Sequence, residues 1–268
     1  MHGAGMTTAQ TYGSYLDLDR VLGAQHPASP AHDEMLFIIV HQTSELWLKL
    51  CLHELDAARR AIAADALRPA FKMLARVARA QTQLIGSWDV LATMTPHDYA
   101  QVRPHLGTSS GFQSAQYRQM EYLLGGRNAA MVAMHEATPG IAAALREELT
   151  RPSLYDETVR LLARRGFAVP AAVLTRDPAQ PWVEDEAVTD AFAAIYRQPE
   201  AHWDLYELAE KLVDLEYHFQ RWRFGHLKTV ERIIGFKRGT GGTSGVPYLE
   251  AVLQHRFFPE LLDARTRL

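Results

Sequence analysis

Two of the twelve histidines in this sequence keep company that suggests chemistry. His226 lies in a stretch where Leu212, Leu215, Phe219, Trp222, Leu227, Val230 and Ile234 recur close to the helical period. A lone imidazole inside an apolar helix is either a core residue satisfied by a neighbour or a ligand for a metal or a haem iron. Arg221, Arg223, Lys228, Arg232, Lys237 and Arg238 surround it. They form a solvated face, or they supply partners for a dianionic cofactor such as haem. His41 opens a polar run, His41-Gln-Thr-Ser-Glu45, in a segment that should otherwise be core. Buried polar groups must find partners, so this run predicts a hydrogen-bonded network, a pocket or both. Phe37, His41 and Glu45 are four apart and share one helix face. Tyr99 and Arg103 share that spacing. They are a surface pair, or Arg103 is a planar clamp for a carboxylate with Tyr99 beside it.

Several other chemistries are excluded. The loop Gly239-Thr-Gly-Gly-Thr-Ser-Gly245 misses the dinucleotide pattern G-x-G-x-x-G at Ser244, and no G-K-[ST] follows. His53-Glu54 lacks the second histidine of H-E-x-x-H. No G-x-S-x-G occurs, and no recurring E-x-x-H pairs suggest a di-iron bundle. Cys51 is the single cysteine, so neither a disulfide framework nor covalent C-x-x-C-H haem attachment is open. It reads as a core residue. If His226 is a ligand and not a core residue, the chemistry best suited to one buried histidine with a basic, glycine-flanked shell is, by elimination, a non-covalent haem with one proximal ligand.

These residues need long helices to hold them. One is expected from His32 to about Ala64, with Met35–Val40 apolar on every face and therefore buried all round. Further helices are expected over 67–93, 112–124, 184–197 and 199–235, with Gly235 as the stop. Two or three short helices fill 128–166, a last one covers 248–265, and 167–182 is irregular. Pro104 should end the turn carrying Tyr99 and Arg103. Two hydroxyl-rich glycine loops stand out, 107–111 and 239–245. No alternation at strand period appears. The fold class is all-α: a helical bundle with inserted short helices, one domain over 1–268, led by an arm at 1–30.

The 268 residues are 47% hydrophobic, enough for one large core. With 28 Lys plus Arg against 31 Asp plus Glu, the charge footprint of a nucleic-acid binder is missing. The longest apolar run is far shorter than a membrane span, and the first residues have no leader architecture. A soluble cytoplasmic protein is expected.

Four stretches together resemble the tryptophan 2,3-dioxygenase family. They are Tyr12-Gly-Ser-Tyr-Leu-x-Leu-Asp19, the run from His32 through Phe37 and His41 to Trp47, Ser109-Ser-Gly-Phe-Gln-Ser-x-Gln-Tyr-Arg118, and Trp222-Arg-x-x-His226 leading into Lys237 to Gly245 and Tyr248-Leu. They span nearly the whole chain; residues 127–200 carry little of the match. The resemblance implies an all-helical homotetramer, a dimer of dimers, with one haem b per subunit. It implies cleavage of the indole C2–C3 bond of L-tryptophan by O2 to N-formyl-L-kynurenine, the first step of the kynurenine pathway. On it, His226 matches the axial iron ligand and His41 the distal histidine facing the indole N–H. Phe37 matches an apolar wall, Tyr99 and Arg103 the substrate carboxylate site, and Thr240 the hydroxyl receiving the ammonium. Trp88 matches a residue at the haem edge, Ser110 one in the distal loop, and Tyr12 a pocket residue lent by a neighbouring subunit. Other classes stay open: a haem sensor or carrier, which needs no amino-acid clamp; a cofactor-free helical interaction module; and a broader indoleamine dioxygenase.

Overall fold

The computed structural model describes residues 10–268. Residues 1–9 lie outside it, and with them the start of the expected arm and the stretch read for a leader. Among the described residues every regular element is helical. In chain order they are α1 Tyr12–Leu16, α2 Leu18–Leu22, α3 Glu34–Ala63, α4 Leu67–Leu91, α5 Pro96–Val102, α6 Ala115–Leu124, α7 Pro139–Thr150, α8 Leu154–Arg164, α9 Ala171–Leu174, α10 Glu186–Arg197, α11 Trp203–Ile234, α12 Val246–Val252 and α13 Pro259–Asp263, with short 3-10 turns between some of them. The all-α class is borne out.

Three long helices make the frame. α3 and α4 are joined by three residues, with Asp65 in the left-handed region (φ 57°) to turn the chain back. Leu48, Cys51, Leu55, Ala58 and Ile62 of α3 meet Ala70, Leu74, Val77 and Leu84 of α4 and Leu205, Leu208, Leu212 and Leu215 of α11. Each fully buried leucine contributes roughly 1.5–3 kcal/mol, so this layer dominates the stabilisation. Leu154, Tyr155, Val159 and Leu162 of α8 join the same core. A smaller cluster, Val40, Leu91, Met94 and Ile233, closes one end of the bundle beside Phe37, Trp88 and Tyr99.

Several expectations change. The Met35–Val40 run is not buried all round: Met35 and Ile39 are 40% and 43% exposed. Only the side of α3 that packs on α4, α6 and α8 is covered within one chain. By length and composition α3 could also cross a membrane, with mean hydropathy 1.3 over an 18-residue window. It is a longer apolar segment than the six-residue run suggests. Its inner face is nevertheless core, and its buried Glu54 and Arg59 pair with Arg76 and Glu148. Pro104 does not end its turn; it sits inside a 3-10 turn, Arg103–His105, that tightens the end of α5. The helix expected from Phe112 starts at Ala115, because the Ser114 side chain accepts from the Tyr117 N–H and caps it. The expected last helix breaks in two. Pro259 begins the second, and the amides of Phe257 and Phe258 donate to the buried Glu216 carboxylate at 2.6 and 3.2 Å instead of to helix carbonyls.

Candidate active site

A cavity of about 230 Å³ opens at the end of the bundle where α3, α4 and α11 meet the two glycine loops. Phe37, His41, Trp88, Tyr99, Ser110, His226 and Thr240 all line it. Seven of the nine residues singled out in the sequence therefore converge on one space.

His226 is placed from α11. Its ring lies flat on the Trp88 indole, centroids 4.7 Å apart and planes 5° apart. Gly225 makes this stack possible: a Cβ there would stand 2.7 Å from Trp88 Cδ1. An isolated glycine inside a long helix costs about 1 kcal/mol against alanine, and this close approach is its reason. Among the described residues neither nitrogen of His226 has a hydrogen-bond partner. Burial, and then the nearby His41, pull its pKa down to about 4, so the imidazole is neutral. The indole N–H groups of Trp88 and Trp222 are also buried without partners. A neutral imidazole without a partner, set in the cavity wall, has the donor chemistry a haem-iron ligand needs. The residues present fit a haem.

Across the cavity, α3 carries Phe37 and His41. His41 Nδ1 donates to the Phe37 carbonyl at 2.7 Å. A carbonyl can only accept, so the proton is on Nδ1 and Nε2 is left as an acceptor. Burial holds the His41 pKa below the ordinary imidazole value. The Phe37 ring lies against it, centroids 4.1 Å apart. The polar run after His41 proves to be both network and pocket. Gln42 donates to Ala24 O and accepts from Gln25, Ser44 donates to Val40 O, and Glu45 accepts from Gln116. Ser44 and Glu45 line the cavity with His41.

The two glycine loops form one wall. Thr240 Oγ1 donates to Ser109 O at 2.7 Å, which leaves its lone pairs free to accept. Gly241 lies so close to Ser110 that a Cβ would meet its Oγ at 2.8 Å. Gly245, at φ +73°, turns the chain back against Lys237 O.

Two expected site residues lie elsewhere. Arg103 is not in the cavity wall; its guanidinium donates to the Arg238 carbonyl at 2.7 Å, tying α5 to the glycine loop. Tyr12 is 77% exposed on α1 and touches no part of the cavity in its own chain. The basic shell around His226 is mostly a solvated face. Arg221, Lys228, Arg232, Lys237 and Arg238 are exposed, and Lys228 pairs with Glu231. Arg223 alone of the six is buried, paired with Glu121. Arg118, Trp222 and Tyr248 line the cavity without having been assigned a role in the sequence. Arg118 had a signal: it is a charge in the first turns of a helix whose next residues, Met120 to Leu124, are core.

The tryptophan 2,3-dioxygenase family profile matches residues 2–139 and 191–268, more than half of the chain. The unmatched segment, 140–190, holds most of α7 and all of α8 and α9, and none of its residues lines the cavity. A tryptophan 2,3-dioxygenase of Erythrobacter litoralis is 78% identical over 258 residues, covering 96% of this chain and 98% of its own length. That of Cupriavidus necator is 58% identical over 269 residues, covering 100% and 92%. That of Burkholderia pseudomallei is 60% identical over 260 residues, covering 97% and 85%.

Proposed function

Because this chain belongs to the tryptophan 2,3-dioxygenase family, we propose that it opens the indole ring of L-tryptophan with O2 in the cavity between His226 and His41. Both oxygen atoms enter across C2–C3, and the product is N-formyl-L-kynurenine, at the head of the kynurenine pathway. The whole of 1–268 serves as one helical domain. A haem b, held through its iron by His226, supplies the activation of O2 when bound. Trp88 sets the imidazole plane by stacking on it.

The remaining work is done by the chain's own side chains, and it is positioning. His41 Nε2 accepts the indole N–H, since Nδ1 is already committed to Phe37 O. Phe37 walls the ring. Thr240 Oγ1 accepts from the substrate ammonium while its own proton stays on Ser109 O. Ser110 lines the wall beside it. Tyr99 and Arg103 receive the carboxylate; the Arg238 carbonyl takes one N–H of the Arg103 guanidinium and leaves the others for the anion.

The assembly is a homotetramer. Met35, Ile39 and Leu46 lie on one outer stripe of α3, and Trp203, Tyr217 and Phe224 recur at multiples of seven on α11, all at least 40% exposed. Apolar stripes of this size favour burial against other subunits. The exposed Tyr12 on α1 suits an arm that reaches a neighbour's cavity.

The unpartnered, neutral His226 facing the cavity carries this reading. The test is the absorption spectrum of the reduced protein from haem-replete cells, with and without L-tryptophan. A pigment whose band shifts on adding L-tryptophan, and which turns tryptophan over under air, is expected. A pigment that ignores tryptophan would mark a sensor or carrier instead.

A further inference from the structure

Gln81 interrupts an apolar row. Leu74, Val77, Gln81 and Leu84 are three and four apart on α4, and all four are buried in the core. Gln81 is 2% exposed, so its amide has to find partners inside the protein. Nε2 donates to the Leu215 carbonyl of α11, a long bond at 3.4 Å. Oε1 is buried and has no partner among the described residues. Turning the amide over would set its oxygen against the Leu215 oxygen and leave an N–H unpaired instead.

Gln81 lines a second, smaller cavity of about 10 Å³. Leu48, Leu84, Met120 and Phe219 make its apolar walls, and Tyr117 and Trp222 close it. The Tyr117 hydroxyl is already engaged, donating to Glu121 at 2.7 Å. The Trp222 indole N–H is not: it is buried without a partner among the described residues. One orphan acceptor and one orphan donor thus line the same space. A cavity of this size accommodates one water, which can donate to the first and accept from the second.

We propose that this cavity binds a single water molecule that donates to Gln81 Oε1 and accepts from Trp222 Nε1. Such a water needs no haem to bind. Its effect is on the rings. Trp222 also lines the large cavity, with its ring 5.4 Å from Trp88 and 5.9 Å from His226. Fixed from behind by the water, the indole backs the Trp88–His226 stack. Gln81 is therefore a positioning residue, one helix removed from the site.

The experiment uses the full-length protein carrying 15N-labelled tryptophan, both without haem and in the reduced, carbon monoxide-bound holo form, which is diamagnetic. The Trp222 indole resonance is identified by its absence in Trp222→Phe. A nuclear Overhauser cross-peak between that indole proton and water is expected in both forms. Gln81→Met, close in volume but lacking the amide acceptor, should erase the cross-peak and speed exchange of the indole hydrogen about tenfold, the scale of one net hydrogen bond. Gln81→Leu should do the same, with helicity of both variants checked by circular dichroism. The wild-type cross-peak is a test whether or not either variant folds. Its absence means a dry cavity and overturns the water site. A cross-peak undiminished in Gln81→Met overturns the role of Gln81. A cross-peak seen without haem and lost with it gives the indole N–H to the cofactor, which overturns the water site while the haem reading stands.

Discussion

His41 can accept a hydrogen bond from a substrate only because a backbone oxygen has taken its other nitrogen. The Phe37 carbonyl fixes the tautomer, and burial keeps the ring neutral. His41→Ala should therefore raise KM for L-tryptophan and leave that for N1-methyl-tryptophan nearly unchanged; an equal loss with both substrates contradicts an N–H contact. The same burial predicts a pH profile. A pKa held below its ordinary value means that the acceptor persists as pH falls through about 6.5, the usual imidazole midpoint. Tryptophan affinity should stay flat through that pH and fail only at lower values, as steady-state KM would report. His226→Ala should lose the haem absorption band; a full band in purified protein would refute the axial role. Arg103→Leu should weaken tryptophan by about 1.5–3 kcal/mol, the scale of a charged hydrogen bond, and an unaltered KM would exclude the clamp.

At the scale of the helix, the long periodic segments were readable because a buried stripe repeats at 3.6 residues whatever it packs against. α3, α4 and α11 came out within a few residues of expectation for that reason. Their exposure did not. A run that is apolar on every face looks the same whether its outer side meets its own chain or another, so Met35 and Ile39 were misread as core. The glycine before His226 was visible but its purpose was not, since the partner, Trp88, is far away in sequence. Gly225→Ala should force the Trp88 ring off its stack. An expected loss of about 1–3 kcal/mol, as for overpacked cores, is measurable by denaturant unfolding. Arg103 could not be placed outside the wall from sequence, because its tie to Arg238 joins two loops that have no shared period.

For the whole molecule, the apolar stripes on α3 and α11 are the feature one chain leaves uncovered. Leu46→Glu on the outer face of α3 should split the assembly, with sedimentation velocity showing smaller species and unchanged helicity; an intact tetramer would place the contact elsewhere. The tie between Arg103 and the Arg238 carbonyl has a consequence of its own. A guanidinium held at one N–H has its remaining donors aimed by whatever holds it. If Arg103 receives the carboxylate as proposed, whatever loosens the 239–245 segment changes how the guanidinium is aimed, so a distant change in the loop is felt as a change in appetite for the amino acid. Selectivity would then follow how firmly a strip of peptide is seated, before any ring has met oxygen.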